Sequence, residues 1–319
     1  RLIYRLYELN PDGSRRYRSA LFGFPKGNGK TPFASWIGAY ELAGGEHVSP
    51  IVPVGAASFE QGDLVFGDMK TCFRESPTLR QVADVYDTEI ILKGQPGRAF
   101  RVAAARGTND GGRPSCYIAD ELHEFNDPAK EGAHLVLSNG TAKRANSLQL
   151  NITTAGADLD SLLGRMYLKG KRIQAGEEVD DTFLFEWWEG PEDVDVTNPV
   201  ALRDAIRQCN PAADDFLDVE QVAGRFAVIP EFEARRYYLN QWTRAAESWL
   251  PPGVWQNCQR SGNIPDHAEV YVAVDMALFH DSTAVVVAWP HLNANGEHVV
   301  TVQSRIWEPV EGRIDHHSV

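Results

Sequence analysis

The chain has 319 residues, 43% of them apolar and 24% charged, enough for two domains with a sizeable core. No run approaches the roughly 18 uninterrupted apolar residues of a membrane span, and Cys72, Cys116, Cys209 and Cys258 are too scattered for zinc or a disulfide framework, which points to a reducing, intracellular setting. A net charge of −13 argues, taken alone, against the broad basic face of an ordinary nucleic-acid binder.

Apolar runs and helical periods alternate from the N-terminus. The chain opens at Arg1 without Met, and no signal peptide is visible. Ser19 to Phe24 reads as a buried strand ending in a Gly-rich turn. Thr31 to Leu42 follows as a helix, with Phe33, Ile37 and Tyr40 at helical spacing and Pro32 in its first turn. Pro50–Ala57 is a second strand, and Val65, Met69 and Phe73 mark a second helix. Shorter strands are expected at Glu89–Leu92, Ala99–Ala105, Cys116–Ala119 and Ser147–Thr154. Leu159, Leu162, Leu163, Met166 and Ile173 line a further helix. This alternation predicts an α/β fold with a mainly parallel sheet covered on both faces.

After Phe183–Trp188 the composition changes. Residues 189–200 are acidic and hold two prolines, and 201–245 read as helical. A break falls at Trp249-Leu250-Pro251-Pro252-Gly253. Beyond it, strands are expected from Glu269 to Asp275, at Thr283–Trp289 and at Val299–Ile306, as the opening of another domain. The expected organisation is a core over 1–188, a connector and small helical lid over 189–248, and the start of a second domain over 249–319.

Pro25-Lys26-Gly27-Asn28-Gly29-Lys30-Thr31 lies between the first strand and the first helix. A glycine-rich turn at a helix N-terminus turns backbone N–H groups toward phosphate oxygens. Gly27 and Gly29 permit close approach, Lys30 would reach the β- and γ-phosphates, and Thr31 would hold Mg²⁺. The loop departs from GxxxxGK[ST], because Phe24 stands where the first glycine is expected. The other reading is an ordinary structural turn.

Cys116-Tyr117-Ile118-Ala119 runs into Asp120-Glu121-Leu122-His123. Carboxylates at the carboxyl end of a buried parallel strand lie where such sheets bind ligands. Asp120 would support the Mg²⁺ water shell and Glu121 would polarise the attacking water; otherwise the pair simply favours a helix N-terminus. His123 reads as a solvated or packing residue.

These motifs together resemble the large terminase family of tailed double-stranded DNA bacteriophages. PKGNGKT is similar to that family's variant Walker A, with Lys26 as the preceding basic residue, and YIADELHEF to its Walker B with the catalytic Glu. Ile152-Thr153-Thr154-Ala155-Gly156 resembles the coupling motif. Ser58-Phe59-Glu60-Gln61, Asn210-Pro211 and Tyr238-Leu239-Asn240-Gln241-Trp242 match in family order. The resemblance implies a P-loop (ASCE/RecA-like) ATPase core, a helical lid, and the truncated start of an RNase H-like nuclease domain.

On that basis Lys26, Gly27, Asn28, Gly29, Lys30, Thr31 and Asp120 bind ATP and Mg²⁺, Lys30 and Glu121 are catalytic, and Thr153 and Thr154 couple hydrolysis to movement. Arg106 and Arg113 are candidate arginine fingers. Asp275 fits the first carboxylate of a two-metal nuclease and Asp281 reads as a turn residue. The remaining carboxylates are expected beyond Val319 and the adenine-contacting Gln motif upstream of Arg1, so this chain alone should not cut DNA. Implied partners are double-stranded DNA, the portal protein and procapsid, the small terminase subunit and further copies in a ring, in the host bacterial cytoplasm and without a membrane. A motor that grips and releases DNA tolerates an acidic surface. Trp187, Trp188, Trp242, Trp249 and Trp255 are assigned to packing between lid and core.

Two rival readings stay open. Asp120-Glu121-Leu122-His123 matches a DExH helicase box literally, although the strands after residue 250 do not resemble a second RecA-like domain. The other is an assembly module that docks on a portal and uses nucleotide as a switch.

Overall fold

The computed structural model describes residues 1–45, 47–57, 59–103, 112–243, 258, 263–276, 282–293 and 295–307. The chain divides into two compact units, Arg1–Ser248 and Trp249–Val319, so the helical segment after Trp188 belongs to the same unit as the first sheet. Arg106, Asp281, Ser58, Trp249 and Trp255 lie outside the described residues.

The first unit is organised by strands β1 (Ser19–Gly23), β2 (Ile51–Ala56), β3 (Ala83–Val85), β4 (Glu89–Leu92), β5 (Arg98–Ala103), β6 (Cys116–Asp120), β7 (Leu148–Thr153) and β8 (Phe183–Trp187). They form one sheet in the order β3-β4-β5-β2-β6-β7-β1-β8. From β5 to β8 every pairing is parallel. β4 is the strand expected at Glu89–Leu92, and β3 pairs with it to add an antiparallel edge; β3 is absent from the sequence reading because three residues are too few to show alternation.

Nine α-helices surround the sheet among the described residues: α1 (Leu2–Leu6), α2 (Lys30–Ala43), α3 (Phe59–Glu75), α4 (Pro77–Val82), α5 (Pro128–Ala142), α6 (Leu162–Ala175), α7 (Pro199–Cys209), α8 (Val219–Arg225) and α9 (Glu231–Leu239). Successive strand residues point to opposite faces, and the two faces have separate cores. Phe22, Ile118 and Leu150 pack with Ile37, Leu42, Phe66, Met69 and Phe73 from α2 and α3. Leu21, Tyr117, Ala119 and Phe185 pack with Leu137 of α5 and with Leu162 and Leu163 of α6. Each such buried side chain contributes about 1.5–3 kcal/mol.

Helix α5 went unseen in the sequence because its apolar stripe is weak and two glycines interrupt it. Asp127 starts it by accepting from the N–H groups of Ala129 and Lys130, with Pro128 in the first turn.

Helices α7, α8 and α9 form a third core around Leu202, Ile206, Cys209, Leu217, Val219, Val222 and Leu239. Asn198 and Asp218 cap the first two of these helices. No helix among the described residues is long and apolar enough to cross a membrane.

The second unit holds β9 (Tyr271–Asp275), β10 (Thr283–Leu292) and β11 (His298–Trp307), an antiparallel sheet in the order β11-β10-β9. Both long strands run past the ends that hydrophobic pattern alone suggested, since Pro290 and His291 still pair with Val300 and Val299.

Candidate nucleotide-binding site

Three adjacent strands bring the predicted chemistry to one level of the sheet. In the registers β6–β7 and β7–β1, Asp120 and Phe22 both align with Ile152, and Gly23 aligns with Thr153. Their carboxyl ends therefore open onto the same crevice. The loop after β1 and the acidic pair after β6 stand two strand spacings apart, about 10 Å, with β7 between them.

The loop from Phe24 to Gly29 owes its shape to its glycines. Gly27 has φ 88° and Gly29 φ 72°, the left-handed region that a side chain disfavours. A Cβ on Gly27 would also come within 3.1 Å of Leu217 Cδ1. Gly29 is the N-cap of α2 and brings no side chain to cap it, whereas Asp127, Ser161, Asn198 and Asp218 cap α5, α6, α7 and α8 with their own oxygens. The first N–H groups of α2 are thus left for an outside acceptor, as an anion site requires.

A cleft of about 410 Å³ opens here, lined by Lys26, Gly27, Gly29, Lys30, Thr31, Pro32, Glu121 and Phe216. Lys30 and Glu121 therefore border one space. Lys30 is buried, and its Nζ donates to the carbonyls of Phe24 and Pro25 at 3.1 and 3.2 Å. Burial pushes its ammonium down, with Lys26 adding to the effect and Glu121 and Asp120 opposing it. The Lys26 Nζ sits 3.6 Å from the ring centre of Tyr237, and the Lys26 N–H donates to the Tyr237 carbonyl at 2.7 Å.

The Asn28 side chain is held on the far side of the loop. Its Nδ2 donates to Asn210 Oδ1 at 2.7 Å and its Oδ1 accepts from the Ala212 N–H at 3.1 Å. The side chain ties the loop to the α7–α9 cluster and does not line the cleft, because both ends of the amide are already matched by that cluster.

Asp120 is 2% exposed, and its Oδ1 accepts from the Glu121 N–H at 3.0 Å. Burial first, then Glu121, pushes its carboxyl up to about 7 against the pull of Lys30. Glu121 has φ 49° and ψ 56°, a left-handed backbone uncommon for a residue with a side chain and a form of strain often stored at functional sites. Burial raises its carboxyl, but the His123 imidazole and Lys30 outweigh that and hold it at about 2.

His123 is not the solvated or merely packing residue that the sequence suggested. Its ring is buried, with Nε2 3.0 Å from Glu124 Oε1 and Nδ1 3.2 Å from Glu121 Oε2. Nδ1 also lies within hydrogen-bonding distance of the hydroxyls of Thr153 and Thr154, at 3.2 and 3.3 Å, and the His123 N–H donates to Thr153 Oγ1 at 3.1 Å. Burial opposes protonation of the ring, yet the two carboxylates raise its pKa above the ordinary value. Both threonines are fully buried and do not line the cleft; His123 connects them to Glu121, which does.

Thr153 and its neighbours meet two further parts of the fold. The Phe24 N–H donates to the Thr153 carbonyl at 3.2 Å, and the Ala155 N–H donates to Asn240 Oδ1 at 2.6 Å. Of the tryptophans, Trp187 stacks with Trp242 at 6.1 Å and Trp188 packs against Phe24, which fits structural packing. Arg113 is exposed. Asp275 ends β9 in the second unit and pairs in register with Ala284.

A glycine loop between β1 and α2, acidic residues at the end of β6 and an additional strand between them are the arrangement of a P-loop nucleotide-binding domain. Residues 4–172 match the terminase large subunit, ATPase domain family. The chain belongs to that family, and its first unit is by that membership an ATP-hydrolase domain. The gene 13 protein of Mycobacterium phage D29 is 23% identical over 295 residues, covering 81% of this chain and 49% of the relative. Protein YmfN of Escherichia coli (strain K12) is 23% identical over 214 residues, 65% of this chain and 46% of that protein.

The fold is shared with the crystal structure of the HK97 bacteriophage large terminase, at TM-score 0.63 and 23% identity over 97% of this chain and 62% of that one. It is also shared with a mutant form of the Thermus phage P74-26 large terminase ATPase domain, at TM-score 0.53 and 13% identity over 76% of this chain and 98% of that one. The chain spans about half the length of the curated relatives it matches.

Proposed function

We propose that this chain is the ATP-driven part of a phage terminase large subunit, which moves double-stranded viral DNA into a procapsid in the host bacterial cytoplasm. The observation that carries the reading is the shared cleft of Lys30 and Glu121 above three parallel strand ends. The triphosphate would lie on the uncapped N–H groups of α2, with Lys30 turning from the Phe24 and Pro25 carbonyls to the β- and γ-oxygens. Glu121, ionised at neutral pH, takes the proton of the attacking water, a general-base role that contributes roughly 10²–10⁴-fold in rate. The γ-phosphoryl then leaves the β-phosphate oxygen for that water oxygen.

Thr31 and Asp120 would hold Mg²⁺, since Thr31 lines the cleft and Asp120 brings a buried carboxylate to the adjoining end of β6, both hard oxygen donors of the kind that ion takes. Bound there, Mg²⁺ would offset the charge of the β- and γ-oxygens. A two-metal nuclease centre does not fit the described residues, which supply Asp275 and no cluster of three or more metal-binding side chains; no cutting step is derived from them.

The α7–α9 cluster serves as the lid. Asn28–Asn210 and Ala155–Asn240 join it to the loop and to β7, so a change at the phosphates can move it. The portal, the small subunit and further copies in a ring complete the proposed assembly. The family match weighs against the helicase reading.

Glu121→Gln should still bind ATP and lose turnover, and unchanged hydrolysis would remove the assignment. Steady turnover stimulated by portal-bearing procapsids identifies a motor; stoichiometric binding without turnover identifies a switch.

A further inference from the structure

The contacts of His123 exceed what one imidazole can satisfy. Nε2 faces Glu124, and the two carboxylates favour the doubly protonated ring; Nδ1 then has a single N–H direction, and three oxygens stand 3.2–3.3 Å from it: Glu121 Oε2, Thr153 Oγ1 and Thr154 Oγ1. The two threonine contacts have hydrogen-bond geometry. The Glu121 contact is an ion pair out of line, and Glu121 Oε2 is a buried oxygen without a hydrogen-bond donor. A buried, unmatched carboxylate oxygen is costly, so there is a drive to move this N–H or to bring another donor to Glu121.

We propose that His123 is a positioning residue that shares one ring N–H between Glu121 and the Thr153–Thr154 pair, holding the catalytic carboxylate and transmitting its position to β7. The inference rests on Glu121 being the catalytic base. Nε2 is anchored on Glu124 and the His123 N–H on Thr153, so the ring pivots little and the competition stays at Nδ1. The Thr153 hydroxyl donates to the Thr154 carbonyl at 2.7 Å. With its own proton committed, Thr153 Oγ1 can only accept from His123.

When Glu121 turns toward a water at the γ-phosphate, the N–H settles on the threonines; when Glu121 turns back, it is released. The strand end that registers this change also holds Phe24 and Asn240 through Thr153 and Ala155. A path of direct contacts therefore joins Glu121 to the lid, and neither threonine needs to touch the nucleotide.

The test compares ATP turnover, KM and binding of a fluorescent ADP analogue in the whole chain. His123→Ala is expected to lower kcat at least tenfold, with KM and analogue affinity kept close to wild type. The double variant His123→Ala/Glu121→Gln should be no slower than Glu121→Gln alone. Wild-type kcat in His123→Ala, or a loss of analogue affinity that matches the loss of rate, overturns the proposal. If His123→Ala fails to fold, His123→Gln decides. A threefold or larger fall in kcat at constant KM supports the positioning role, and wild-type kcat refutes it. Turnover that survives in Glu121→Gln brings down the catalytic reading itself, an outcome distinct from an inactive Glu121→Gln beside a fully active His123→Ala.

Discussion

Asn240 and Ala155, 85 residues apart in the chain, are joined by a 2.6 Å hydrogen bond from the Ala155 N–H to Asn240 Oδ1. The same amide donates to the Trp188 carbonyl at 2.8 Å, and Asn240 itself sits at φ 53° as the C-cap of α9. One fully buried side chain thus closes the helix, the start of the connector and the end of β7. Asn240→Ala leaves a buried N–H and a buried carbonyl unmatched, at about 1–3 kcal/mol each. The expected result is a melting midpoint lower by several degrees and ATP turnover reduced more than nucleotide affinity. A midpoint equal to wild type would show that this residue is not the joint.

The pH response of the nucleotide-free, EDTA-treated protein should carry the mark of Asp120. Its carboxyl rises from an ordinary 3.8 to about 7 in the fold, so between those values the folded chain binds a proton that the unfolded chain has lost. Stability contributed by this group therefore falls as pH rises through that window and is flat above it. Asp120→Asn should remove the fall and be more stable than wild type at pH 8 by on the order of 1–3 kcal/mol, while losing turnover. Glu121 acts in the opposite direction: its carboxyl drops from 4.5 to about 2, so its contribution is lost as pH falls through that range. Denaturant melts at pH 2.5, 4, 6 and 8 check both signs.

Phe216 stands at the mouth of the cleft with 66% of its surface exposed, and its ring lies 3.5 Å from where a Cβ on Gly29 would be. An exposed aromatic beside a phosphate loop offers a face to a nucleotide base. Phe216→Ala should raise KM for ATP by about three- to tenfold, the range that losing ~1 kcal/mol of stacking gives, with kcat held. Steady-state kinetics with ATP against inorganic tripolyphosphate would locate the effect, since only the base-bearing ligand should respond.

A purely structural pair lies at the other end of the sheet. Arg15 Nη2 meets Glu41 Oε1 at 2.9 Å, with the Glu41 side chain fully buried, and the Tyr7 ring lies 5.0 Å below the guanidinium. Glu41→Ala would strand the arginine charge, a loss of about 3–5 kcal/mol. The double change Arg15→Met/Glu41→Leu should recover most of it, because the penalty comes from the unmatched charge. Equal instability of both variants in urea melts would contradict this account.

Much of this protein was written locally. Gly27, Gly29, Lys30 and Thr31 lie within one loop whose backbone requirements are set by adjacent residues, and the run from Cys116 to Glu121 announces a buried strand with carboxylates at its end. Continuous apolar runs gave the parallel strands, which are buried on both faces, and helical periods gave α2, α3 and α6, because each buries one face long enough to show its period. They could not give α5, whose start depends on the Asp127 cap more than on an apolar stripe, or the three-residue β3 that pairs with β4.

The partners of His123, Asn28 and Asn240 were decided only by the tertiary structure. Thr153 and Asn240 stand 30 and 117 residues beyond His123, and no periodicity carries information over such distances. These contacts exist because β7 is inserted between β1 and β6, which sets Thr153 one residue past the level of Asp120 and brings the lid against the same end of the sheet. Residue types fixed which chemistry was possible; strand order and register fixed which side chains meet to perform it, since a hydrogen bond forms only where packing holds donor and acceptor within about 3 Å.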